Sequence, residues 1–336
     1  MKMDFIETER AHQLELLRQG FFEDAEPGGY VYSDKGINYY DFVLKPQCSL
    51  TNLYKPIRKE VLQYFERYDI AWWRQHEDRY FPTGHLLSSQ IHCLNHLFAL
   101  RKDPDAVLEI IKPIGIAAGI NFDKVLPSFI DTHEAYYDRE TGKKVSNSNY
   151  ISFEFVCHNI DMLGETHEKR GAKCTSVDAL VYAQAGNERW LIPIEWKYTE
   201  SYDHKKEAYS FERYSKVVSN NSRLEGWTHL YKHDPFYELG RQTLLMEKLI
   251  ERKPMVGKIS HRFPQYPLAA DNFLHVVVVP KDNLLMRADT DKFKASLKQN
   301  YRNLFQVVDS QTLLSNIQNK YSELTAYLQA RYWYRQ

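Results

Sequence analysis

The sequence predicts an α/β fold, a mixed central sheet flanked by helices, with extra helical segments at the N- and C-terminal ends. Two observations predict it. Apolar residues keep helical spacing through the first third and again from residue 236, and between them lie short runs rich in Val, Ile, Trp and Tyr bounded by turn residues. Helices, then strands, then a helix, a further strand and a helical tail is the order expected of a sheet with helices packed over it.

Residues 4–19 read as a short helix, broken at Pro27-Gly28-Gly29, after which Tyr30, Tyr32, Tyr39 and Tyr40 suggest extended chain. Ile57, Val61, Leu62 and Phe65 space a helix over 53–68, Leu87, Ile91, Leu94 and Phe98 one over 86–100, and a third covers Ala106 to Ile111. Glu134–Asp138 and Tyr150–His158 read as a hairpin around Glu140-Thr141-Gly142-Lys143. Two more strands, Thr175–Ala183 and Arg189–Tyr198, flank a Gly186-Asn187 turn. Phe236–Glu251 reads as a helix, Phe273–Val279 as a wholly apolar strand ended by Pro280, and the chain from Thr290 onward as helical. The expected organisation is an N-terminal helical, aromatic-rich extension over 1–84, a core over 85–285 and a C-terminal helical segment over 286–336 packed on that core.

At 336 residues the chain can hold one α/β core with large additions or two packed domains. Hydrophobic residues at 43% against 26% charged are a globular composition, in which disorder is not expected to dominate. Lys plus Arg and Asp plus Glu balance at 44 each, so any nucleic-acid surface must come from local segregation of charge. Cys48, Cys93, Cys157 and Cys174 are dispersed with no Cys-x-x-Cys pair, which argues against a zinc ribbon or a disulfide framework and fits reduced thiols in the cytoplasm. The charged, amphipathic run from Met1 to Gln19 and the lack of 18 consecutive apolar residues predict neither secretion nor a membrane span.

The chemistry is concentrated in the two strands around Gly186-Asn187. Alternation along Val177-Asp178-Ala179-Leu180-Val181-Tyr182 puts Asp178 on one face with Leu180 and Tyr182, and in Ile194-Glu195-Trp196-Lys197 it puts Glu195 and Lys197 together. An antiparallel connection brings these faces side by side, so two carboxylates and an ammonium meet inside strands apolar enough to be buried. Buried charges are costly unless paired or bound to metal. Phosphodiester hydrolysis supplies a reason: Asp178 and Glu195 offer hard oxygen ligands suited to Mg²⁺, and Lys197 could orient or deprotonate an attacking water and offset charge growing on the phosphate.

Asp178, a gap of sixteen residues, then Glu195-x-Lys197 resembles the PD-(D/E)xK phosphodiesterase superfamily of restriction endonucleases and repair nucleases, over roughly residues 85–280. The phrases Arg170-Gly171-Ala172-Lys173-Cys174-Thr175-Ser176-Val177-Asp178-Ala179 and Ile194-Glu195-Trp196-Lys197-Tyr198-Thr199-Glu200 look like a poorly characterised bacterial group within it. One departure is Val177, where the superfamily pattern has Pro. The resemblance implies a restriction-endonuclease-like core, Asp178, Glu195 and Lys197 as catalytic residues, Mg²⁺ with Mn²⁺ able to substitute, and double-stranded DNA as substrate. A homodimer is a further superfamily expectation. The functional expectation is a DNA endonuclease of a restriction or other defense system. A catalytically inactive nucleic-acid-binding protein with the same fold is the alternative, and a purely structural module a third.

Glu154, in the apolar run Ile151-Ser152-Phe153-Glu154-Phe155-Val156, stands where superfamily members often carry a further metal carboxylate, and an edge-strand glutamate facing solvent explains it equally well. Gln242 and Gln90 stand where relatives carry polar residues beside the site, and water-exposed helix faces account for them nearly as well. His92 and His96 have the i, i+4 spacing of a zinc pair, but Cys93 follows His92 where a zincin needs Glu, which favours structural histidines. Arg170, Lys173 and Lys169 before the Asp strand, and Lys205, Lys206, Arg213 and Lys216 beyond the Glu-x-Lys strand, fit phosphate contacts or ordinary solvated faces.

Overall fold

The computed structural model describes residues 4–33, 36–73, 81–128, 134–137, 144–147, 149–156, 162–165, 174–202, 208, 211–256 and 266–335, with backbone alone at 31–33, 134–137, 144–147, 255–256 and 266–267. The first helix is α1, Phe5–Arg18. The aromatic segment after it folds back on itself as the antiparallel pair β1, Pro27–Ser33, and β2, Gly36–Leu44. Next come α2, Arg58–Arg67, α3, Ser89–Leu97, and α4, Pro104–Ala118. α4 is longer at both ends than its periodicity suggested. Asp103 caps it by accepting the Ala106 N–H at 3.1 Å, Pro104 supplies a preset φ, and Gly119 ends it at φ 81°.

The strands follow as β3, Lys124–Leu126, β4, Glu134–Tyr137, β5, Lys144–Asn147, β6, Ile151–Phe155, β7, Val177–Ala185, and β8, Glu188–Trp196. One expected pairing is corrected. β4 pairs with β5, whereas β6 runs antiparallel to β7. The physical reason is burial, since every residue of β6 is buried and such a strand fits a sheet covered on both faces. The Glu140–Lys143 turn lies outside the described residues. Beyond β8 come α5, Phe211–Ser215, α6, Phe236–Arg252, β9, Met255–Val256, β10, Tyr266–Pro267, β11, Asn272–Phe273, and β12, His275–Val278. The tail is not helical throughout, because α7, Leu284–Ala295, is followed by β13, Phe305–Val308, before α8, Ser310–Leu313, and α9, Ser322–Arg331. Four residues, Phe-Gln-Val-Val, are too few to break the helical texture around them, yet they find a ready ladder on β12.

Among the described residues, seven strands form one sheet in the order β13-β12-β8-β7-β3, with β11 also beside β8 and β6 also beside β7. β6, β7 and β8 are antiparallel, while β12 and β13 run parallel to β8 and to each other. α6 lies in the crossover from β8 to β12 and α7 in that from β12 to β13, as parallel neighbours require. Alternation along the strands feeds two cores. Ala179, Val181, Ile192, Ile194 and Val276 pack on the side of α2, α3 and α4. Leu180, Leu191 and Val277 pack on the side of α6 and α7. The chain termini close over the first side: Arg331 of α9 is fully buried and donates to Gln13 of α1, to Tyr327 and to the Asn52 backbone and side chain.

Candidate active site

The spacing between the two halves of the motif is a product of hairpin register. Gly186, at φ 58°, and Asn187 turn the chain, and Ala185 pairs with Glu188 through to Ala179 with Ile194. The next pair outward is Asp178 and Glu195, with the side chain of Asp178 on the α6 side, as for Leu180. There the ladder opens and the Asp178 carboxylate takes over, its Oδ2 accepting the Trp196 N–H at 2.6 Å. Lys197 follows directly after β8, its own N–H tied to the Val278 carbonyl at 2.9 Å.

α6 grips this motif with two side chains one turn apart. Lys197 Nζ lies 2.6 Å from Glu195 Oε1 and also donates to Glu238 Oε2. Gln242 Nε2 donates to the Ser176 carbonyl at 2.8 Å and to Glu195 Oε2. With both amide hydrogens engaged, Gln242 Oε1 is left to accept from the His275 ring Nε2 at 3.2 Å, which fixes that tautomer. Glu195, Lys197 and Gln242 are each under 5% exposed.

On the other flank, Glu154 occupies left-handed backbone at φ 48° in β6, beside the start of β7. Its Oε1 accepts from Gln90 Nε2 of α3 at 2.7 Å, and Gln90 in turn donates to the Ala71 carbonyl at 3.2 Å and accepts the Trp73 N–H at 2.9 Å. Non-glycine residues adopt positive φ rarely, so this acid is held at a backbone cost of about 1–3 kcal/mol.

The electrostatics follow from burial and crowding. Burial first, then the negative charges of Glu195 and Glu154, push the Asp178 carboxyl well above the usual range against the opposing pull of Lys197 and the Trp196 N–H. Glu195 is pushed up to about 8 by burial and by Glu238, with Lys197 and Gln242 opposing. Burial works to discharge Lys197, but Glu195 and Glu238 outweigh it and hold the ammonium well above its ordinary pKa. Asp178 and Glu195 thus resist ionising together beside a single lysine, a tension that a divalent cation bound between them would relieve.

Asp178, Glu195, Lys197, Glu154, Gln242 and Gln90 are therefore joined in one neighbourhood, by hydrogen bonds, an ion pair and mutual electrostatic influence. Among the described residues, no group of three or more His, Cys, Asp or Glu side chains closes into a metal-ligating set, so Asp178 and Glu195 stand as a facing pair. Lys169, Arg170, Lys173, Lys205 and Lys206 lie outside the described residues, and Arg213 and Lys216 are exposed at α5. His92 and His96 are core residues: His92 Nδ1 accepts from Trp196 Nε1, His96 Nδ1 contacts the His92 carbonyl at 2.7 Å, and burial depresses both. Sequence reasoning missed Glu238. The available signal was its place four residues before Gln242, on the same face of one helix.

No helix among the described residues is long and apolar enough to cross a membrane. Neither a curated protein nor a solved structure matches the chain. A family model described as "Restriction Endonuclease associating with ARP" matches residues 15–333, nearly the whole length, and the chain belongs to that family.

Proposed function

We propose that the chain is a Mg²⁺-dependent endonuclease of PD-(D/E)xK type that hydrolyses phosphodiester bonds in double-stranded DNA, in keeping with its restriction-endonuclease family. The observation that carries the reading is the convergence of Asp178, Glu195 and Lys197 on one face of adjacent strands, with Lys197 Nζ 2.6 Å from Glu195. The donor set fits the ion. Mg²⁺ is commonly held by one or two carboxylates, with waters and substrate phosphate completing its shell, and Asp178 and Glu195 offer such a pair of hard oxygens. When bound, the ion supplies a Lewis acid for the phosphate and acidifies a coordinated water.

The protein's own residues divide the remaining work. Lys197, held cationic by its two glutamates, offsets negative charge growing on the phosphate; its raised pKa argues against its acting as the base. Gln242 orients Glu195 and Gln90 orients Glu154, since both amides are committed to carboxylates within the protein. Glu154 adds negative field beside the Asp178–Glu195 pair.

The test is cleavage of supercoiled plasmid with Mg²⁺ by the wild-type chain and by Asp178→Ala, with Mn²⁺ titration calorimetry on both. Cleavage and cation binding should be present in the first and lost in the second. Equal rates from the two proteins, or no cleavage with a spread of duplex sequences despite intact folding, would reject the reading.

A further inference from the structure

Arg241 stands on α6 between the two side chains that hold the motif, Glu238 nearly one turn before it and Gln242 directly after. Consecutive residues of the helix meet consecutive residues of the chain entering β7. Gln242 donates to the Ser176 carbonyl at 2.8 Å, and Arg241 Nη1 donates to the Thr175 hydroxyl at 3.3 Å. Thr175 precedes Asp178 by three residues, a span of at most about 11 Å. The guanidinium rests over the Tyr237 ring, its Cζ 4.6 Å from the centroid, with the Tyr214 ring of α5 at 5.8 Å.

This cation is built into the wall of the site and is barely used there. The side chain is 19% exposed, and its Nη1 also lies 3.5 Å from Glu165 Oε1. Glu165 does not absorb it, because three closer donors already serve that carboxylate: the Thr175 N–H at 2.8 Å, the Thr175 hydroxyl at 2.6 Å and the Tyr214 hydroxyl at 2.5 Å. Among the described residues, neither Nε nor Nη2 of Arg241 has a hydrogen-bond partner; Nε is buried, and Nη2 reaches solvent. Those two atoms form one edge of the guanidinium fork, the edge that grips two oxygens of a phosphate side by side. Stacking on Tyr237 leaves such in-plane donors unspent, and buried donors are ordinarily satisfied, so the edge calls for an acceptor. A second arginine lies close by. Arg213 of α5 is exposed, comes one residue before Tyr214, and lies against Gly164, where a Cβ would sit 3.7 Å from its Cγ and Cδ. Among the described residues Arg213 has no ion pair.

We propose that Arg241, with Arg213 at the rim, forms a phosphate site for the substrate backbone, holding a phosphate that flanks the one cleaved. The choice of partner rests on the nuclease reading, and binding is measured apart from cleavage so that the two can fail separately.

The experiment uses the full chain carrying Asp178→Asn and a fluorescein-labelled duplex, titrated by anisotropy between about 50 and 200 mM KCl. The slope of log affinity against log salt should shrink by about one for Arg241→Gln, by about one for Arg213→Gln and by about two for the double variant. At the lowest salt Arg241→Gln should bind about 10-fold more weakly. Arg241→Lys should keep the slope and still lose affinity, because an ammonium carries the charge without the two-donor edge. Arg18→Gln, at an exposed position on α1, serves as the control. Slopes unmoved by either substitution, an equal change in the Arg18 control, or no duplex binding at the lowest salt would overturn the proposal. So would a loss of affinity in Arg241→Gln that follows its urea midpoint while the slope stays, which would make Arg241 a prop for Glu165 and α5. Should Arg241→Gln fail to fold, Arg213→Gln decides alone, since its exposed side chain supports nothing in the core and its slope must still shrink. Absence of wild-type cleavage with these slopes as expected would count against the nuclease reading alone, and cleavage with the slopes unmoved against the phosphate site alone.

Discussion

Lys197 is shared between two glutamates from different elements, Glu195 two residues before it on β8 and Glu238 on α6, and the same helix holds Glu195 through Gln242. A helix and a strand are thereby registered against each other through charged groups in place of apolar packing alone. Breaking a buried pair by deleting one partner costs far more than the pair contributes, because the remaining charge is stranded.

Glu238→Ala should therefore misplace Lys197 without removing it. The expected effect on plasmid cleavage is a fall in kcat of about 10- to 100-fold with KM nearly unchanged, Glu238→Asp falling between. Because Glu238 is one of the causes that raise the Glu195 pKa to about 8, Glu238→Gln should also lower the Glu195 titration midpoint, read by carboxyl carbon NMR on glutamate-labelled protein. An unchanged midpoint with unchanged kcat would remove Glu238 from the site.

Gln242 tests the same device from the other prong. Its amide serves the Ser176 carbonyl, Glu195 and His275 with 1% exposure, so Gln242→Leu leaves buried polar groups unsatisfied and should cost about 1–3 kcal/mol in urea unfolding. Gln242→Glu should be worse at pH 8 than at pH 5, since a second carboxylate facing Glu195 is tolerated only while one of them is protonated. Loss of the same size at both pH values would show that packing, not charge, governs the position.

Legibility in the sequence followed the range over which each signal acts. The β7–β8 hairpin could be read because its turn, alternation and register are local, and the register alone carries Asp178 to Glu195. The partner of β6 could not, because its apolar run fits an adjacent hairpin or a distant strand equally well until burial decides. β13 escaped for a related reason: four residues have no periodicity of their own, and only the vacant edge of β12 makes them a strand. Glu238 was hidden among the polar residues of an amphipathic helix: its place four residues before Gln242 puts it on the same face, but only the packing of α6 on β8 shows that this face meets Lys197. Gln90 and Glu154 were each readable as exposed, and their 2.7 Å contact joins residues 64 positions apart.

Acid should destabilise the fold through its buried histidines. His96 and His275 are depressed to about 3, and His92 lies well below its usual value, burial being the main cause in each. A histidine whose folded pKa lies below its unfolded pKa of about 6.5 binds its proton preferentially in the unfolded chain. Stability from these groups is complete above that value and is lost as pH falls toward 3, at up to about 1.4 kcal/mol per pH unit for each histidine. Urea midpoints should drop between pH 7 and pH 5, and His275→Gln should flatten that slope. A slope unaffected by the substitution would mean that His275 is reached by water in the folded chain.

The carboxylates act with the opposite sign. Glu195, with its folded pKa raised from 4.5 to about 8, favours the fold while protonated, and that contribution is lost as pH rises from about 4.5 through 8. Asp178 is displaced in the same direction, so without metal the site is a source of instability at alkaline pH. Glu195→Gln keeps the shape and removes the charge; its one oxygen can still accept from Lys197, at the cost of the hydrogen bond from Gln242. It should abolish cleavage while raising the metal-free Tm at pH 8 by a few degrees, with a smaller gain at pH 5, where wild-type Glu195 already carries its proton. Mg²⁺ should raise the wild-type Tm at pH 8 and leave that of Glu195→Gln nearly still, because only the ionised pair holds the cation strongly. Differential scanning calorimetry of both proteins, with and without Mg²⁺ at the two pH values, decides it; a variant less stable than wild type at pH 8 would show that the Glu195–Lys197 pair holds the fold together and is not strained by its function.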